Sequence, residues 1–250
     1  MTEQSLLSRL GAKMLPLVSK RVFPDGWIEA GHDRARLEVL AKKRRSLDGP
    51  RPDLVLQRSW GRATTEVAGF PLHLLTPTAG STGKVLFYCH GGAFVVGPST
   101  LEWTHAAKFA AAIGCDLALY EYPKVPEHDS AATRPATLSA YDLIASRYPT
   151  DRIAIAGLSA GGGLAVSTML QLLRDGRPLP ISATLFSPWL DMTVSHPDAP
   201  NYAETDVLLP VQALRHDGLL YAAERGTADP LVSPRFTLAE ELRHLSLIHI

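Results

Sequence analysis

The 250-residue chain holds only two cysteines, and that scarcity excludes a disulfide-stapled scaffold. Cys89 and Cys115 each lie in or beside an apolar run. A thiol there acts as a small core hydrophobe, so a reducing, cytoplasmic setting is expected. Net charge is equally scarce. Lys and Arg number 25 against 25 Asp and Glu, which leaves no overall field to gather nucleic acid or an acidic membrane surface. Long hydrophobic runs are missing too: residues 5–22 are broken by Arg9, Lys13, Pro16 and Lys20, so neither a signal peptide nor a membrane span is expected. There is no internal repeat and no low-complexity tract, and no metal or cofactor is expected. What is present is ordinary globular composition, 46% hydrophobic and 20% charged. That suffices for one α/β domain with a small lid, serving a small-molecule partner; a homodimer is compatible with it.

The most informative stretch is 152–163, Arg-Ile-Ala-Ile-Ala-Gly-Leu-Ser-Ala-Gly-Gly-Gly, a G-x-S-x-G match centred on Ser159. Ile153, Ala154, Ile155 and Ala156 form the wholly apolar run of a strand buried on both faces. After Ser159 the period changes. Leu164, Ala165, Thr168, Met169, Leu172 and Leu173 recur at helical spacing, and Gly176 with Pro178 supplies a stop. A serine at such a strand-to-helix elbow is held in a strained backbone conformation with its hydroxyl exposed. Side chains at Gly157 or Gly161 would collide across the elbow. The free N–H groups of the helix start point to where negative charge develops in acyl transfer. Ser159 is therefore the candidate nucleophile.

Around this stretch the chain reads as alternating elements. Two amphipathic helices are expected in 1–48, the second carrying Ile28, Ala35, Leu37, Val39 and Leu40. Lys42-Lys43-Arg44-Arg45 suits a helix C-terminus and a solvated face. Runs at 65–68 and 72–76, separated by Gly69-Phe70-Pro71, resemble an edge hairpin. Strands are expected at 85–89, 116–122 and 181–186, and helices at 103–112 and 136–147. That order builds a mostly parallel sheet with right-handed crossovers and helices on both faces. Residues 195–226, rich in Pro, His, Asp and Tyr with a helical stretch near 211–223, read as an inserted lid.

The strand at 85–89 ends in His90-Gly91-Gly92-Ala93-Phe94. Paired glycines there let the backbone curl so that successive N–H groups point at one spot, as an oxyanion requires. The other reading of this stretch is a tight turn with a packed histidine.

With these stretches in view, the chain resembles the hormone-sensitive-lipase-like family of α/β-hydrolase esterases over roughly residues 60–245. His90-Gly91-Gly92-Ala93 is similar to the family's His-Gly-Gly-Gly, and Tyr122-Pro123-Lys124-Val125-Pro126-Glu127-His128 to its Tyr-Arg-Leu-Ala-Pro-Glu-His. Gly157-Leu158-Ser159-Ala160-Gly161-Gly162 looks like its nucleophile elbow. Ser187-Pro188-Trp189-Leu190-Asp191 and Asp229-Pro230-Leu231-Val232-Ser233-Pro234 match the segments flanking its lid. The resemblance implies an α/β-hydrolase fold with cap helices in 1–50, a core over 51–194, a lid over 195–226 and a return to the core over 227–250. It implies a carboxylesterase acting on short to medium acyl esters through an acyl-enzyme. Ser159 would be the nucleophile, amides at Gly91, Gly92, Ala93 and Ala160 the oxyanion hole, and His90, Gly157 and Gly161 the motif's support.

Leu158 and Ala93 depart from the family's acid and third glycine at positions that offer backbone chemistry. The triad order in this fold is serine, acid, histidine. Asp191 is similar to a structural acid that holds backbone, and His244 precedes what would be the penultimate strand. The catalytic acid and histidine, with the final strand and helix, are therefore expected beyond residue 250. Alternative readings are a non-catalytic ligand binder, since the family includes a hormone receptor on this fold, and a peptidase or acyltransferase on the same scaffold. An intact elbow beside an intact His-Gly-Gly loop favours the esterase.

Overall fold

Five consecutive apolar side chains at Val85–Cys89 leave no polar face, and all five are buried in the middle of a sheet. The computed structural model describes residues 23–45, 60–202, 206, 208–237 and the backbone of 247–249. Among these, seven strands form one sheet: β1 (Trp60–Val67), β2 (Phe70–Pro77), β3 (Val85–Cys89), β4 (Asp116–Tyr120), β5 (Ile153–Leu158), β6 (Ser182–Phe186) and β7 (Leu247–His249). Their order is β1-β2-β4-β3-β5-β6-β7. The β1–β2 hairpin is antiparallel, as is its junction with β4; every pairing from β4 to β7 is parallel. The hairpin turns through Ala68 and Gly69, both at positive φ (52° and 81°), which matches the twist of the flanking strands.

Alternation along β3 splits the core into two layers. Val85, Phe87 and Cys89 face a layer with helices α3 (Ser130–Ala145) and α4 (Ala160–Arg174), while Leu86 and Tyr88 face α2 (Thr100–Ala112). Helices thus cover both faces, as expected. Helix α2 starts at Ser99, whose hydroxyl accepts from the Glu102 amide at 3.2 Å, and α3 starts at Asp129, whose carboxylate accepts from the Ala131 amide at 2.8 Å. Helix α3 begins six residues earlier than its apolar period suggests. Its first turns bury Ser130 and Thr133, and the Thr133 hydroxyl donates to the Pro123 and Asp129 carbonyls, so polar residues there bond locally instead of facing water. Chain order sends β4 to one side of β3 and β5 to the other. The loop leaving β3 therefore sits at the topological switch point, where open α/β sheets bind ligands.

The basic run at the end of α1 (Arg34–Arg45) is only half a solvated face: Lys42 and Lys43 are exposed as expected, while Arg44 and Arg45 turn inward. Arg44 is fully buried, and its guanidinium donates to both oxygens of a fully buried Asp217 at 3.1 and 3.0 Å. The Trp27 indole donates to the same carboxylate at 2.6 Å. Asp217 belongs to α6 (Val211–Ala222), the later of two α-helices among the described residues of 195–226, the other being α5 (Ala199–Tyr202). Arg45 grips Glu127 and the Val95 and Val125 carbonyls. Three residues assigned to the apolar stripe of this region lie outside it: Ala35 is exposed, and Ile28 and Val39 are 44% and 57% exposed, because Leu37, Leu40, Ala41 and Arg44 form the buried face. The first expected helix and the 48–50 break lie outside the described residues.

Candidate active site

Ser159 stands between β5 and α4 with φ 53° and ψ −118°, a left-handed conformation that costs a non-glycine residue roughly 1–3 kcal/mol. Neighbours hold it there. Its amide donates to the Phe186 carbonyl at 2.9 Å, and its carbonyl accepts from Trp189 at 2.8 Å, Gly162 at 2.9 Å and Gly163 at 3.2 Å. The side chain is half-buried, and its hydroxyl bonds to no described residue.

The glycines are required by space. A Cβ on Gly157 would lie under 3.0 Å from the Gly161 carbonyl, and one on Gly161 under 3.0 Å from the carbonyl oxygens of both Cys89 and His90. On Gly162 it would sit 2.7 Å from the Pro188 side chain. The second of these contacts joins the two functional stretches. Cys89 pairs with Gly157 in the β3–β5 ladder, so the loops that follow leave adjacent strands at the same level, and the 90–94 loop packs against the start of α4.

That loop curls through three successive positive φ values, 107° at Gly92, 53° at Ala93 and 61° at Phe94. Its turn closes by Val95 and Val96 amides donating to the Gly92 carbonyl at 2.9 and 3.0 Å. The amides of Gly92, Ala93 and Ala160 donate to no described group. Gly91 differs from its expected place in the oxyanion hole: its amide is already given to Glu102 Oε1 at 2.6 Å.

His90 is fully buried and stacked on Tyr122, with ring centroids 4.1 Å apart and planes 7° apart. Its Nδ1 lies 2.6 Å from the Gly91 carbonyl, and the Tyr122 hydroxyl donates to the His90 carbonyl at 2.7 Å. Burial, with Lys124 adding to it, pushes the imidazole down to about 3, so the ring is neutral and shapes the loop. Phe94 stacks on Tyr221 of α6 at 3.6 Å. Asp191 accepts from the Thr193 and Ser195 amides and from Arg235, the backbone-holding role expected of it; His244 lies outside the described residues. Glu102 and Asp217 escaped the sequence reading. For Glu102 a signal existed: it is the one charge on the buried face of α2, beside Trp103, Ala106, Ala107 and Ala110.

Residues 86–250 match the sequence profile described as the alpha/beta hydrolase fold. The chain belongs to the α/β-hydrolase fold family. Within this family it is 32% identical over 154 residues to an acetyl-hydrolase of Streptomyces hygroscopicus, covering 61% of this chain and 51% of that one. To an esterase of Acinetobacter venetianus it is 30% identical over 159 residues, covering 62% and 52%. The chain thus spans about half the length of these curated relatives. Among solved α/β-hydrolase structures, it superposes on an esterase of the bacterial hormone-sensitive lipase family with a TM-score of 0.72 at 27% identity, covering 100% of this chain and 78% of that one. A hormone-sensitive lipase from a metagenome library gives 0.75 at 26% identity, with 96% and 76% covered. Among the described residues no group of three or more His, Cys, Asp or Glu could hold a metal ion, and no helix is long and apolar enough to cross a membrane.

Proposed function

We propose that the protein hydrolyses carboxylic esters of short to medium acyl chains through a Ser159 acyl-enzyme. The observation that carries this is the left-handed Ser159, pinned between β6 and the 188–189 segment, with the 90–94 loop packed against the same elbow. A binding module has no use for a strained, unpartnered hydroxyl in that place. In the proposed reaction Ser159 Oγ attacks the ester carbonyl while a base takes its proton. The Gly92, Ala93 and Ala160 amides stabilise the oxyanion, the alcohol departs with a proton, and water releases the acid. No described side chain bonds the Ser159 hydroxyl; in this reading the base and its orienting acid follow the serine in the chain order this fold uses. Relatives named acetyl-hydrolase and triacylglycerol lipase support ester hydrolysis as the reaction class.

Turnover of p-nitrophenyl acetate, butyrate and octanoate, compared with Ser159→Ala, tests the reading. The expected result is a preference for the shorter two and loss of at least about 10³-fold in the variant. Turnover unchanged by Ser159→Ala refutes it, and saturable ester binding without turnover in the full-length protein transfers the site to the ligand-binding reading.

A further inference from the structure

Of three successive amides in the 90–94 loop, two are free and one is spent. Gly91 donates at 2.6 Å to Glu102 Oε1, a carboxylate that is 7% exposed and reached from the first turn of α2. The Tyr88 hydroxyl donates to the same oxygen at 3.4 Å. A carboxylate is costly to bury, and its neighbours on this face, Trp103, Ala106 and Ala107, are apolar. Packing alone would be served by leucine. The acid instead does what an apolar residue cannot, which is to hold an amide facing into the core. Because peptide planes are rigid, fixing the Gly91 N–H sets the His90–Gly91 plane, whose carbonyl also accepts from the Tyr122 hydroxyl at 2.7 Å, and with it the direction in which the chain approaches its left-handed turn at Gly92.

We propose that Glu102 is the positioning residue of this loop: by holding the Gly91 amide it keeps the Gly92 and Ala93 amides turned toward the reacting carbonyl. The proposal rests on the esterase reading above for its catalytic consequence, though not for the contact itself. Glu102 acts through Gly91 and touches no reacting atom. The titratable groups coupled to it are the Tyr88 phenol on β3 and the Tyr122 phenol beyond β4, both shifted upward by burial and neutral in the working range. Burial raises Glu102 to about 7, against the opposing pull of the Gly91 and Tyr88 hydrogen bonds. The helix N-terminus adds a favourable field.

Two variants and two readouts test this. Glu102→Gln keeps an acceptor oxygen and the shape; Glu102→Ala removes the acceptor. In the 15N-labelled protein the Gly91 amide proton should resonate far downfield and titrate with a midpoint near 7. In Glu102→Gln it should stay displaced and stop titrating. In ester turnover Glu102→Ala should lose about 10²-fold in kcat with KM changed less than about 3-fold, as misplacement of catalytic groups does. Glu102→Gln should recover most of that and lose any inflection near pH 7. A Gly91 shift that does not titrate, equal losses in the two variants, or wild-type kcat in Glu102→Ala overturns the proposal. Turnover that survives Ser159→Ala overturns the esterase reading instead, while the Gly91 titration still reports on Glu102 by itself.

Discussion

Asp217→Ala is the sharpest perturbation the structure offers away from the serine. Asp217 and Arg44 are both fully buried, and their two hydrogen bonds at 3.1 and 3.0 Å are joined by the Trp27 indole at 2.6 Å. Removing the carboxylate leaves the Arg44 guanidinium charged, out of water and without its counter-ion, a change that costs about 3–5 kcal/mol. The rings of Phe23 and Trp27, with centroids 4.8 and 4.5 Å from it, remain as weak compensation. At this chain length each kcal/mol moves the midpoint by about 2–4 °C, so Tm should fall by about 6–20 °C. Replacing both partners, Arg44→Met with Asp217→Leu, should behave quite differently. Exchanging a buried ion pair for apolar side chains is neutral or stabilising by about 1–4 kcal/mol. The stranded indole N–H takes back about 1–3, so the double variant should sit near wild type. Urea unfolding followed by tryptophan fluorescence and circular dichroism measures all three. A loss under about 1 kcal/mol in Asp217→Ala, or a double variant as unstable as the single one, would show that the pair does not hold 23–45 to α6 as argued.

Other outcomes follow from the same geometry. Gly161→Ala should prevent soluble folding or cost more than about 3 kcal/mol, since its Cβ meets two backbone carbonyls; Gly31→Ala, which has φ 53° and open space around it, should cost only about 1–2 kcal/mol of backbone strain. Both would be read in urea melts. The pH dependence of stability has two opposed parts. His90 is lowered from 6.5 to about 3, so its contribution is present above 6.5 and is lost as pH falls toward 3. Glu102 is raised from 4.5 to about 7, so its contribution is full below 4.5 and is lost as pH rises through 7. Glu102→Gln should therefore steepen the rise of stability between pH 4.5 and 6.5, and an unchanged slope would contradict the assignment. Cys89, fully buried with its thiol pushed upward by burial, should react with a thiol reagent only as fast as the protein unfolds, which mass spectrometry of the labelled peptide can follow.

The elbow was legible because its demands are made on the backbone. Gly157 and Gly161 are glycine for want of space against carbonyl oxygens close by, and such a requirement leaves its mark on the local sequence. The central strands were legible for a similar reason: burial on both faces writes an uninterrupted apolar run. Arg44 was misread because its partner lies 173 residues away, and a basic helix end looks the same in sequence whether it meets water or a distant aspartate. Gly91 was misassigned for want of Glu102, whose meaning depends on the side of α2 that meets β3. The early start of α3 was hidden by Ser and Thr that bond to backbone instead of forming an apolar period.

The bonds at Ser159 carry a consequence for how the molecule is made. Its amide needs Phe186 and its carbonyl needs Trp189, so strand β5 and helix α4 cannot by themselves hold the left-handed serine against its intrinsic cost. On a ribosome, the segment up to Arg174 would emerge with this residue relaxed and its hydroxyl undirected. The left-handed conformation is secured only when β6 docks and the residues after it close over the elbow. The chain must first draw together ends some thirty residues apart, at a loop-closure cost that grows with the logarithm of that separation, before Ser159 is held in this conformation. On the esterase reading proposed above, an unfinished chain is thereby kept chemically quiet during synthesis.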